Sequence, residues 1–216
     1  MQLRTEILTF RGEAGAIECA LDRPVGPARG WALVLHPHPL HGGARDNKVV
    51  TTISRACVEQ GMAALRPNFR GVGGSAGDFD HARGETADML ALVEQFEAEH
   101  SDIAAGPWLL AGFSFGTSVA AQLYSELAEQ GRRTPDRLLL TGSAVERFRF
   151  RDVKVPEDTL LVHGEADEVV PLAEAMDFAR AHGLPMVVMP DAGHFFHGRL
   201  LVLRRLVQQN LPGLAS

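Results

Sequence analysis

The chain has 216 residues, 45% of them hydrophobic and 22% charged, which suits a single globular domain, 1–216, with a sizeable core. Its formal net charge of −6 gives no support to a nucleic-acid or anionic-membrane partner. No apolar run is long enough to span a bilayer, Met1–Glu6 has no apolar signal core, and Cys19 and Cys57 lack metal-ligand or redox spacing, so a cytoplasmic protein with reduced thiols is expected.

Leu3 to Phe10 and Ala16 to Leu21 read as two short strands joined by the Gly12-Glu13-Ala14-Gly15 turn, an antiparallel hairpin. Trp31 to Leu35 is continuously apolar, as a strand buried on both faces would be. A His/Pro/Gly loop follows, then a helix from about Lys48 to Gln60, with Gly61 placed to end it. Met62 to Pro67 is the next strand, Asn68 to Gly77 a Gly-rich loop, and His81 to His100 an amphipathic helix. Pro107 to Ala111 is another apolar strand, and Thr117 to Tyr124 another helix. Further strands are expected at Arg137 to Thr141, Thr159 to His163 and Met186 to Met189, with helices at Leu172 to His182 and Leu200 to Gln209. Between Thr141 and Thr159 no helix is legible; the alternating Arg147-Phe148-Arg149-Phe150-Arg151 reads as a connector anchored by its phenylalanines. Strands alternating with helices imply an α/β fold, a mostly parallel twisted sheet with helices on both faces. In such a sheet the functional loops lie at the carboxyl ends of the strands.

Gly112-Phe113-Ser114-Phe115-Gly116 sits between a strand and a helix. Gly-x-Ser-x-Gly in that context describes a sharp turn that lifts a serine hydroxyl above the sheet at a helix N-terminus. A serine hydroxyl is a weak nucleophile, so it needs a base within hydrogen-bond reach and a carboxylate to orient that base. The base expected is His194, in the Gly193-containing loop after the last strand, with His197 as its competitor. The acid expected is Asp167, in the loop His163 to Pro171, ahead of Glu165, Glu168 and Asp191. Two backbone N–H groups must then face the developing oxyanion. One is assigned to Phe115, the residue after the nucleophile. The other belongs to the loop 36–43, where Pro37 and Pro39 have no N–H; His38 and Leu40 remain, with His38 preferred. Leu40, Phe113 and Phe195 are the candidate substrate-contacting side chains, with Phe69, Val145 and Phe196 also near the strand-end loops. Arg66 and Arg70 are candidates to hold a substrate carboxylate.

The ordered set His36-Pro37-His38-Pro39-Leu40-x-Gly42-Gly43, Asp46 to Val50, Asn68 to Ser75, Gly112 to Gly116, His163 to Pro171 and Gly193-His194 resembles the α/β-hydrolase superfamily from about residue 15 to 210. It looks most like the small cap-less bacterial esterases and the dienelactone-hydrolase group. The resemblance implies a sheet of about eight strands, a triad on Ser114, Asp167 and His194, and acyl transfer through an acyl-serine, without cofactor or metal. Dienelactone hydrolases commonly use cysteine where this chain has Ser114, and no cap is inserted after Thr141, which suggests an open site. The expected substrate is a small-molecule ester of a small or medium acyl group. A thioester is the alternative, and a non-catalytic binding module is the reading from another class.

Overall fold

The computed structural model describes residues 4–213. One eight-stranded sheet runs through it, formed by β1 (Arg4–Gly12), β2 (Gly15–Arg23), β3 (Trp31–Leu35), β4 (Ala63–Pro67), β5 (Trp108–Phe113), β6 (Arg137–Thr141), β7 (Leu160–Gly164) and β8 (Met186–Met189). Their spatial order is β1-β2-β4-β3-β5-β6-β7-β8. The β1–β2 hairpin pairs antiparallel, closing on Gly12 opposite Gly15, and β2 also pairs antiparallel with β4; all other neighbours are parallel. Leu3, expected to begin the first strand, lies outside the described residues.

The alternation of side chains along each central strand divides the core in two. Trp31, Leu33 and Leu35 of β3 enter one apolar layer, while Ala32 and Val34 enter the other. The first layer is covered by α2 (Arg83–Glu99), α3 (Ser101–Ala104), α4 (Phe115–Glu129) and α6 (Leu172–His182), which contribute Phe96, Ile103, Val119 and Phe178. The second is covered by α1 (Lys48–Glu59) and α7 (Leu200–Gln209), through Ile53, Cys57, Leu203 and Val207. Trp31 and Trp108 are cross-strand partners, and their rings stack with centroids 4.7 Å apart. Apolar burial on both sheet faces explains why β3 and β5 read as uninterrupted hydrophobic runs.

Helix boundaries follow local chemistry. Asn47 caps α1 by accepting the Val49 N–H at its Oδ1, and Gly61, with φ +81°, takes the left-handed turn after the C-cap Gln60. The β6–β7 connection holds a short helix that alternation concealed, α5 (Val145–Phe148). Phe148 and Phe150 do anchor this connection against the core. Among the described residues, no helix is long and apolar enough to cross a membrane.

Register positions the functional loops. Leu35 lies opposite Gly112, Phe113 opposite Thr141, and Gly164 opposite Met189. The carboxyl ends of β3, β5, β6, β7 and β8 therefore meet at one rim of the sheet.

Candidate active site

β5 runs through Phe113 and α4 begins at Phe115, so Ser114 is the single residue of the turn. Its φ of 54° and ψ of −120° are conformations that a residue with a Cβ adopts only under constraint, at a cost of roughly 1–3 kcal/mol. The constraint is visible. The Ser114 N–H donates to the Thr141 carbonyl at 2.9 Å, and Thr117 Oγ1 donates to the Ser114 carbonyl at 2.6 Å. A Cβ on Gly112 would lie 2.4 Å from the Gly116 carbonyl oxygen, and one on Gly116 would lie 2.5 Å from that of Leu35. The two glycines thus allow helix, strand and the loop after β3 to close around the serine.

Asp167 follows β7, and His194 lies in the loop between β8 and α7. The fold brings both to Ser114, although 80 residues separate His194 from the serine. Asp167 Oδ2 is 2.7 Å from His194 Nδ1, and His194 Nε2 is 2.9 Å from Ser114 Oγ. An ionised carboxylate only accepts, so Nδ1 carries the imidazole proton and Nε2 is free to accept the serine hydroxyl. The other carboxylate oxygen, Oδ1, accepts the Val169 and Val170 N–H groups at 2.9 and 2.8 Å. Burial alone would raise the Asp167 carboxyl, but the bonds from His194 and the Val170 N–H outweigh it and hold the group below the usual carboxylate range. All three side chains are nearly buried, at 5 to 8% exposure, and Ser114 and His194 open onto a hollow of about 250 Å³.

The competitors lie elsewhere. His197 is exposed, with its ring against Phe195. Glu165 is exposed and accepts the Asp191 N–H, Glu168 is exposed, and Asp191 faces Arg199 at 3.7 Å.

The loop 36–43 packs on the first turn of α4: the His38 and Phe115 rings are 5.3 Å apart, and the hollow reaches both His38 and Ser114. Among the described residues, neither the Phe115 nor the His38 N–H donates within the chain. The Leu40 N–H does, to His38 Nδ1 at 3.2 Å, and is already committed.

Of the expected substrate-contacting residues, Phe195 lines the hollow. Phe113 does not; it is fully buried and packs beneath the His194 ring at 5.0 Å, because β5 continues through it. Leu40 is 69% exposed on a short 3₁₀ turn and stands outside the hollow. Phe69, Val145 and Phe196 are core residues. Arg66 and Arg70 are both spent on internal pairs, with Asp22 at 2.8 Å and Asp88 at 2.6 Å, so neither is held in reserve for a substrate. The walls that sequence reasoning missed are His41, Asn47 and Val169. It also missed His163, fully buried, whose Nε2 lies 2.8 Å from the Val170 carbonyl and 3.3 Å from Asp167 Oδ2. Burial pushes the His163 imidazole down, which keeps a neutral N–H donor behind the acid. The signal for His163 was there: a histidine in an otherwise apolar strand, where a buried ring needs a partner, which Nε2 finds in the Val170 carbonyl while Nδ1 has none among the described residues. Among the described residues no group of three or more His, Cys, Asp or Glu side chains is arranged to hold a metal ion.

Comparison with known proteins gives the family and the fold. The family model described as serine hydrolase (FSH1) matches residues 52–197. A lidless α/β serine hydrolase of Xanthomonas campestris is 35% identical, covers 100% of this chain and 99% of its own, and superposes with a TM-score of 0.86. An α/β serine hydrolase homologue of Coxiella burnetii is also 35% identical, with full coverage of both chains and a TM-score of 0.83. An uncharacterised protein of Rickettsia prowazekii is 42% identical over 114 residues; the match takes in 53% of this chain and about half, 47%, of that relative's length.

Proposed function

Because the chain belongs to the serine hydrolase (FSH1) family, we propose that it cleaves carboxylic esters of small or medium acyl groups through an acyl-serine formed on Ser114. The observation that carries this reading is the unbroken relay from Asp167 Oδ2 through His194 to Ser114 Oγ, with both links at hydrogen-bond length. In the first half-reaction His194 Nε2 takes the hydroxyl proton as Oγ attacks the ester carbonyl. Asp167 stabilises the imidazolium and keeps its ring in register. The oxyanion is received by the N–H groups of Phe115 and His38, neither of which donates to another group among the described residues. Collapse expels the alcohol, which leaves with the proton from His194. Water, activated by the same nitrogen, then adds to the acyl-serine, and the acid is released.

The size of the hollow, about 250 Å³, and the exposed Phe195 at its edge favour short or medium acyl chains. A panel of p-nitrophenyl esters and acyl thioesters, from two to twelve acyl carbons, tests the reading. Preference for oxygen esters with activity falling at the longer chains supports it. Preference for thioesters replaces the ester assignment while leaving the serine chemistry in place. Absence of turnover on every member contradicts both.

A further inference from the structure

His36 is the first residue after β3 and is wholly buried, and its ring bonds go to the backbone of Pro37 and Phe69, not to Ser114, Asp167 or His194. Its two ring nitrogens are both engaged. The Phe69 N–H lies 2.9 Å from Nε2, and since a backbone N–H can only donate, Nε2 is the acceptor. The ring proton is therefore on Nδ1, which donates to the Pro37 carbonyl at 2.6 Å. That carbonyl is one end of a planar peptide whose other end is the His38 N–H. Holding the oxygen on one side fixes the N–H on the other.

We propose that His36 is a positioning residue for acyl transfer, locking the Pro37–His38 peptide so that the His38 N–H stays turned toward the oxyanion. The proposal rests on the assignment of His38 as an oxyanion donor. Three further contacts close the lock. A Cβ on Gly43 would lie 2.1 Å from the Pro37 oxygen, so the chain at Gly43 is pressed against the same carbonyl. The His41 and Gly43 N–H groups donate to the His38 carbonyl at 3.1 and 3.0 Å, which pins the next peptide. The His36 ring packs on Phe69, centroids 4.4 Å apart, and Phe69 packs on Phe115, the residue assigned as the other donor. Burial pushes the His36 imidazole down to about 4, so at neutral pH it keeps the one proton this arrangement requires. Turning the peptide over would break the Nδ1–H bond, bring the Pro37 carbonyl oxygen toward the place of the oxyanion, and leave the buried Nδ1–H without an acceptor.

The test uses the rate of fluorophosphonate phosphonylation of Ser114, which needs the oxyanion donors but no knowledge of the substrate, beside kcat and KM on p-nitrophenyl butyrate. His36→Leu removes both ring bonds. His36→Asn offers an amide N–H near the position of Nδ1, and His36→Gln offers an oxygen near that of Nε2. Loss of one oxyanion donor reduces turnover by about 10²–10³-fold, and His36→Leu is expected to lose roughly 100-fold in phosphonylation and kcat with KM within about threefold. His36→Asn is expected to recover at least about tenfold over His36→Leu, and His36→Gln less. A folded His36→Leu that is labelled at the wild-type rate overturns the proposal, as does an Asn variant no better than Leu. If His36→Leu does not fold, the Asn and Gln variants decide: Asn faster than Gln supports the lock, and the reverse order overturns it. Wild-type protein that resists the probe altogether would instead refute the serine reading beneath the proposal.

Discussion

Replacing Asp167 with Asn changes one atom, and the structure says what that atom does. Oδ1 is held by the Val169 and Val170 N–H groups, so the amide oxygen of an Asn is drawn to that side. The amide nitrogen then faces His194 Nδ1, where Asp167 presents Oδ2 at 2.7 Å. Two N–H donors cannot face one another, so the imidazole must move its proton to Nε2, the nitrogen that should accept the Ser114 hydroxyl. The same substitution in a trypsin-type triad lowers kcat by about 10⁴, which at 1.36 kcal/mol per tenfold is about 5.4 kcal/mol of transition-state stabilisation. We expect a loss of that order in Asp167→Asn, measured as kcat on a p-nitrophenyl ester, with the melting temperature nearly unchanged because both Oδ1 bonds survive. Asp167→Ala should lose activity and also destabilise the loop, since it strands two backbone donors at roughly 1–3 kcal/mol each. A folded Asp167→Asn protein within tenfold of wild-type kcat would refute the argument.

Asp22, 2% exposed, binds Arg66, Ser54 and Thr5; burial would raise its carboxyl, but these bonds outweigh burial and hold it below the usual range. Asp22→Asn should therefore cost about 3–5 kcal/mol at neutral pH. A depressed carboxyl stabilises the fold above its unfolded value and loses that contribution as pH falls through the folded one, so the gap in melting temperature should close only below about pH 4. Gly112→Ala sets a methyl 2.4 Å from the Gly116 carbonyl oxygen and should lower the melting temperature by roughly 6–12 °C, taking about 3 kcal/mol of overpacking, whereas Gly131→Ala, with open space around it, should cost only about 1 kcal/mol of backbone strain. Phe195→Ala opens the edge of the hollow and should raise KM for the longer or aromatic acyl esters by up to about tenfold, with little change for acetate.

Much of this was legible in the chain because the chemistry is local. The elbow needs Gly112 and Gly116 wherever it occurs, and the apolar runs of β3 and β5 announce strands covered on both faces. Strand-end loops in an α/β sheet then converge, which is why Asp167 and His194 could be expected beside Ser114 before the fold was known. Pocket walls are different. Whether Phe113 or Phe195 faces substrate depends on how far β5 continues, and the strand in fact ends one residue before Ser114. Periodicity also hid α5, a single turn whose last two residues, Arg147 and Phe148, begin the Arg/Phe alternation that runs on to Arg151. The roles of His36 and His163 depend on bonds to Phe69 and Val170, partners that no sequence pattern pairs with them.

The central claim is that Ser114 is an activated nucleophile, and intact-mass analysis after exposure to a fluorophosphonate tests it most directly. The relay from Asp167 to Ser114 predicts one adduct per native chain and none on Ser114→Ala. A native, folded protein that takes up no adduct, or a Ser114→Ala protein that takes up one, would contradict it.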